Sequence, residues 1–157
     1  SVRPGIALYG LMPEKKFADA MDLKPNLSLK SNVKKIQKLK RGDTAGYSFH
    51  FTAKNDTQVA IVPIGYGDGY SCDFSNNSEC LIQGKRFPVV GSICMDQIIV
   101  DIGNSHINIG DEVMLIGKQG NEEITVYELA NRIHTIPYQI TTSLLSRIPR
   151  IYRKADV

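Results

Sequence analysis

From Leu27 to Ile116 the chain is written as short apolar runs, each closed by a turn signal, and that cadence calls for a β domain. Leu27, Leu29 and Ser31 alternate with polar residues, and Val33 to Leu39 continues the run among lysines. Val33, Ile36 and Leu39 would also suit a short helix, but a strand fits the surrounding pattern better. Lys40-Arg41-Gly42-Asp43 is a turn, and Tyr47-Ser48-Phe49-His50-Phe51 alternates aromatic with polar, as a half-buried strand does. Asn55-Asp56 turns the chain into a buried strand over Gln58 to Ile64. Cys80 to Gln83, a Gly84-Lys85 turn and Arg86 to Val90 read as a hairpin, and Ile98 to Asp101 and Glu112 to Ile116 as two further strands. Gly5 to Tyr9, closed by Gly10, reads as a short buried strand, and Ile140 to Leu145 as another. One helix is marked: Thr125-Val-Tyr-Glu128 has the form of a capping box, Leu129, Ala130 and Ile133 supply an apolar face, and Pro137 lies beyond its end. The expected fold is mainly β, a closed or nearly closed barrel with one helix. The first 22 residues differ in character, so a boundary falls at Asp22 to Pro25.

Composition narrows the function. A chain of 157 residues can bury a core without staples, and 42% apolar with 22% charged residues excludes disordered, collagen-like and coiled-coil classes. A net charge of +3 is too mild for strong non-specific nucleic-acid binding, and no apolar run approaches the roughly 18–20 residues of a membrane span. The three cysteines, Cys72, Cys80 and Cys94, are odd in number and form no C-x-x-C pair, so a reducing cytoplasm is expected rather than a disulfide framework. His50, His106 and His134 do not pair with them at zinc spacing, and no metal site is expected.

Three clusters are candidates for chemistry. Gly65-Tyr66-Gly67-Asp68-Gly69-Tyr70 follows an apolar strand; its glycines permit close backbone approach, although the spacing matches no phosphate-loop fingerprint and suits a tight turn as well. In Gly91-Ser92-Ile93-Cys94-Met95-Asp96-Gln97 the thiol is either a nucleophile or, more commonly, an inert buried group, and Asp96 is a turn residue or a site carboxylate. Among seven tyrosines, Tyr47 and Tyr138 sit at segment edges, where a phenol can reach outward to bind phosphate or act as a base. Half-buried core tyrosines are the plainer alternative.

Together these clusters resemble the C-terminal part of alanine racemases, the bacterial pyridoxal-phosphate enzymes that make D-alanine. The similarity runs in order through Val2-Arg3-Pro4-Gly5-Ile6-Ala7-Leu8-Tyr9-Gly10, Gly46-Tyr47, Ile64 to Gly69, Gly91 to Gln97, Gly110 to Val113, Thr135-Ile136-Pro137-Tyr138 and Arg147-Ile148-Pro149-Arg150. The resemblance implies that residues 1–22 are the tail of an N-terminal (β/α)8 barrel that binds the cofactor, and residues 23–157 the C-terminal β domain. The Schiff-base lysine would then lie outside these 157 residues, and the chain alone is expected to be inactive.

Carried over by position, the resemblance implies that Arg3 bonds the cofactor's pyridine nitrogen, that the amides of Gly5 and Ile6 and the hydroxyl of Tyr138 bind its phosphate, and that Tyr47 is the catalytic tyrosine of a two-base mechanism. Met95 would meet the substrate carboxylate through its amide, and Tyr66 and Asp96 would line the substrate's approach. It further implies a homodimer, with Tyr47 reaching into the partner's barrel. Two positions depart from the family pattern: Cys72 and Ser92 stand where arginines are common. Fewer cations should weaken the attraction of a carboxylate or reshape the approach, which bears on alanine against serine. A serine/alanine racemase domain of a membrane protein in glycopeptide-resistant bacteria is one alternative, which would make the segment a cytoplasmic domain without membrane contact of its own. Non-enzymatic alternatives are a β module binding single-stranded nucleic acid through Tyr47, Phe49, Phe51 and the lysines at 30–40, and a structural dimerisation platform.

Overall fold

The computed structural model describes residues 1–14, 17 and 21–153. Among the described residues, ten strands and two α-helices follow one another: β1 (Leu29–Asn32), β2 (Lys35–Leu39), β3 (Thr44–Ala45), β4 (Phe51–Thr52), β5 (Thr57–Val62), β6 (Ser78–Ile82), β7 (Lys85–Val90), β8 (Ile98–Asp101), β9 (Glu112–Gln119), β10 (Glu122–Ile124), α1 (Val126–Arg132) and α2 (Pro137–Ser143). The main sheet runs β1-β9-β6-β7-β8-β5-β2, entirely antiparallel, with β10 paired to β9. Its two ends are consecutive in sequence: only Val33 and Lys34 separate β1, on β9, from β2, on β5. The Val33 amide donates to Asp111 O and the Lys34 amide to Ile61 O, so this link spans the rim. A sheet whose first and last strands are joined by two residues must curl, and the result is a strongly curled half-barrel.

Period-two burial divides the sheet into two apolar faces. Ala60 and Val62 of β5 and Ile98 and Val100 of β8 face the main core with Leu81, Val113, Leu115 and Leu129. Val59, Val90 and Ile99 point the other way, under Leu39, Ala45, Phe51 and Ile61. The small β3–β4 hairpin brings Ala45 and Phe51 to this second face. Both faces of β8 are therefore covered, which is why it reads as an unbroken apolar run.

Several local expectations are corrected. Gly5–Tyr9 is a 3-10 turn rather than a buried strand, with Ile6 its only buried residue. Pro4 holds φ at −66°, and Gly5 (φ 56°) and Gly10 (φ 69°) bend the chain at both ends in the left-handed region. Tyr47–Phe49 is likewise a 3-10 turn, and only Phe51 onward is strand. Ile140 to Leu145 is mostly α2, making two helices where one was expected; Pro137 starts it at a position that needs no N–H donor. Its β-branched Thr141 and Thr142 turn their hydroxyls back onto Tyr138 O, which lets them sit in a helix. The β6–β7 hairpin turns at Gln83-Gly84 (φ 52° and 71°), one residue before the expected site. Within the polar stretch before Asp22, residues 15, 16 and 18–20 lie outside the described residues.

The Thr125 hydroxyl accepts from the Glu128 amide at 3.0 Å and caps α1. The Glu128 carboxylate turns instead to Arg86 (2.8 Å) and Arg132 (3.0 Å), in a cluster completed by Glu79 and Glu122. Burial pushes Glu128 up, but the hydrogen bonds from both guanidiniums outweigh it and hold its carboxyl below the ordinary glutamate value. Tyr127, also on α1, pairs its hydroxyl with the backbone of Met12, accepting from the amide and donating to the carbonyl, both at 2.8 Å. The segment after the first turn is thus tied to the helical pair.

Candidate functional site

The β3–β4 hairpin ends in the Tyr47 turn. Gly46 (φ 80°) enters it, and Ser48 (φ 57°) and Phe49 (φ 52°) follow, both in a region that side chains seldom occupy. Such backbone costs on the order of 1–3 kcal/mol per residue and persists only where neighbours impose it. Ser92 Oγ donates to Tyr47 O at 3.2 Å and lies 2.9 Å from His50 Nδ1. Asn76 Nδ2 donates to His50 O at 3.2 Å, while its Oδ1 accepts from the Gly91 amide at 2.7 Å. The Tyr47 side chain, 73% exposed, projects from this anchored backbone into solvent.

The glycine-rich loop after β5 makes the second wall. It closes as a 3-10 turn over Tyr66–Asp68, with Asp68 Oδ2 accepting from the Gly65 amide at 3.0 Å. The Tyr66 amide donates to Cys94 O (3.0 Å) and the Gly67 amide to Met95 O (2.9 Å), so Tyr66, Met95 and Asp96 share one corner. Gly65 is obligatory by space rather than by φ, because a Cβ there would lie 2.1 Å from Cys94 O. Since Ser92 holds the Tyr47 turn, residues 91–97 are the common spine of both walls.

A third group forms elsewhere. The amides of Gly5 and Ile6, which open the first 3-10 turn, have no protein partner among the described residues. A Cβ built on Gly5 would lie 3.8 Å from both Cε1 and Oη of Tyr138, at the start of α2. Two free N–H groups beside a half-exposed phenol make a donor set suited to an anion. Arg3 is exposed nearby in sequence and makes no ion pair with a described residue. No hydrogen bond among the described residues links this group to Tyr47, Tyr66, Met95 or Asp96.

The cysteines are free thiols. Cys80 and Cys94 are buried, and burial pushes both thiols up, away from the reactive thiolate. Cys72 is exposed beside a cavity of about 360 Å³ that also borders Tyr66, Phe74 and Ile140. Tyr70, the last residue of the glycine-rich run, is a core residue: its hydroxyl pairs with Ser78 at 2.9 Å and burial pushes its ionisation up. Among the described residues no cluster of three or more metal-ligating side chains occurs, and no helix is long and apolar enough to cross a membrane.

Residues 26–152 match the family model for the alanine racemase C-terminal domain. The chain belongs to the alanine racemase family. It is 42% identical over 153 residues to the alanine racemase of Carboxydothermus hydrogenoformans, covering 96% of this chain and 42% of that protein. The alanine racemase of Cutibacterium acnes is 44% identical over 152 residues, covering 96% and 40%. Among solved structures, alanine racemase from Bacillus anthracis with bound L-Ala-P superposes with a TM-score of 0.91 at 36% identity, over 96% of this chain and 39% of that one. The chain therefore spans about two fifths of the length of the relatives it matches.

His50 and Asn76, which hold the Tyr47 turn, and Arg147, which pairs with Asp96 and Asp68, complete the site without any signal in local spacing.

Proposed function

We propose that this chain is the C-terminal portion of a pyridoxal-phosphate-dependent racemase that interconverts L- and D-alanine, with residues 1–22 completing the cofactor-binding barrel. Family membership over 26–152 is the observation that carries the reading. The donor set at the first turn fits a phosphate: the unpaired amides of Gly5 and Ile6 and the Tyr138 hydroxyl would hold it. The Arg3 guanidinium, a donor without acceptor capacity, would donate to the pyridine nitrogen and leave it an acceptor, which moderates the ring's pull on electrons. Pyridoxal phosphate, when bound, supplies the electron sink for the charge left at Cα.

This chain's own part is proton transfer and orientation. Tyr47 would exchange the α-proton at its Oη on one face of Cα, opposite a base outside this chain. The anchored, exposed turn suits a phenol that must act outside its own domain, as in a head-to-tail homodimer. The Met95 amide would meet the substrate carboxylate, with Tyr66 and Asp96 lining the approach. Uncharged Cys72 and Ser92 make serine the second substrate to assay.

The test is racemisation of L-alanine by the full-length protein with pyridoxal phosphate, against this chain alone. Full-length protein should turn over, Tyr47→Phe should lower kcat by about 10²–10⁴-fold, and the isolated chain should be inactive. Turnover by the isolated chain, or an undiminished Tyr47→Phe enzyme, overturns the proposal.

A further inference from the structure

The first residue of the Arg147-Ile148-Pro149-Arg150 run lies where the two walls of the corner meet. Arg147 Nη2 reaches Asp96 Oδ1 at 2.5 Å, and its Nε lies 3.4 Å from Asp68 Oδ1. Its Nη1 fills the space beside Gly67, where a Cβ would come within 2.3 Å. The three nitrogens thus address three different residues on two loops, a task for which a planar fork is suited and an ammonium is not.

The backbone around it presents the guanidinium in place. Leu145 N donates to Asp68 O at 2.9 Å, and Ser143 Oγ to Gly69 O at 3.2 Å, which fastens the end of α2 to the glycine-rich loop. Arg150 donates to the carbonyls of Leu144, Leu145 and Ile148 and shapes the bend that carries Arg147. The hydrogen bond to Asp96 comes first, and the charge of Asp68 second, in holding the guanidinium protonated. Arg147 is half exposed, and ion pairs in that setting add little to global stability. Their location suggests a local purpose.

We propose that Arg147 is a positioning residue: by tying Asp96 to Asp68 it fixes the Met95–Asp96 segment against the Gly65–Gly69 loop, and so sets how Tyr66 and the Met95 amide meet a small amino-acid carboxylate. The substrate half of this statement rests on the racemase reading; the placement of the loops does not.

Two readouts on the full-length protein test it. In Arg147→Gln, amide exchange at Tyr66 and Gly67 should accelerate by about tenfold while β5 and β8 keep their protection. KM for alanine should rise by about tenfold with kcat within about threefold, and Arg147→Lys should recover part of both. Adding Asp96→Asn should worsen Arg147→Gln little, since both break one contact. Unchanged exchange at Tyr66 and Gly67, or full additivity with Asp96→Asn, overturns the proposal. If wild-type protein turns over no alanine, the racemase reading falls and the exchange result alone decides on Arg147.

Discussion

Two loops lean on residues 91–97 from opposite sides, and they are secured by different chemistry. The Tyr47 turn hangs from a serine hydroxyl and an asparagine amide, with backbone at Ser48 and Phe49 in the left-handed region. The glycine-rich loop is seated by fit: Gly65 lies flush against Cys94 and Met95, and Asp68 with Arg147 closes it. The first arrangement costs little to disturb and leaves its aromatic exposed. The second has no room to yield. A side chain that projects into solvent is held by a few adjustable bonds, whereas a wall that keeps a shape is built by contact.

The largest effect that can break this comparison is steric. Gly65→Ala would push a methyl into two carbonyls and should destabilise the domain by about 3 kcal/mol or more, read as a shift in the denaturant midpoint. A loss below about 1 kcal/mol would show that the loop gives way after all. The Arg86–Glu128 cluster offers an intermediate reference. Because Glu128 is held below its ordinary value in the folded protein, its contribution is present at neutral pH and is lost as pH falls below about 4.5 through the folded value. Glu128→Gln should cost about 1–2 kcal/mol at pH 7, and the gap from wild type should close in acid; a gap that persists there would assign the effect to packing. Ser92→Ala should have the smallest effect, about 0.5–1 kcal/mol, confined to faster amide exchange in residues 47–50 with global unfolding nearly unchanged.

Much of the sheet was legible because period-two burial leaves a local mark: β5 to β9 fall where apolar runs and turn residues place them. The errors share a cause. Gly5–Tyr9 and Ile140–Leu145 are short apolar runs in which strand and helix are indistinguishable by periodicity, and backbone context decided them, through Pro4 and two left-handed glycines in one case and Pro137 in the other. Tyr47–Phe51 alternates as a strand would, but left-handed Ser48 and Phe49, held by Ser92 and Asn76, bend it into a turn. The site was legible as motifs and not as contacts. Ser92 meets Tyr47 across 45 positions and Arg147 meets Asp96 across 51, and no local spacing rule reaches so far.

The first turn and the segment after it meet the same pair of helices: Tyr138 of α2 lies beside Gly5, and Tyr127 of α1 brackets Met12. α1 and α2 are joined by four residues and pack together. The anion-suited nook at Gly5 is consequently registered to the helix pair. Because Val126, Leu129 and Ile140 of those helices are embedded in the main core, the spacing between the Gly5 amide and the Tyr138 hydroxyl is set by core packing and not by the turn alone.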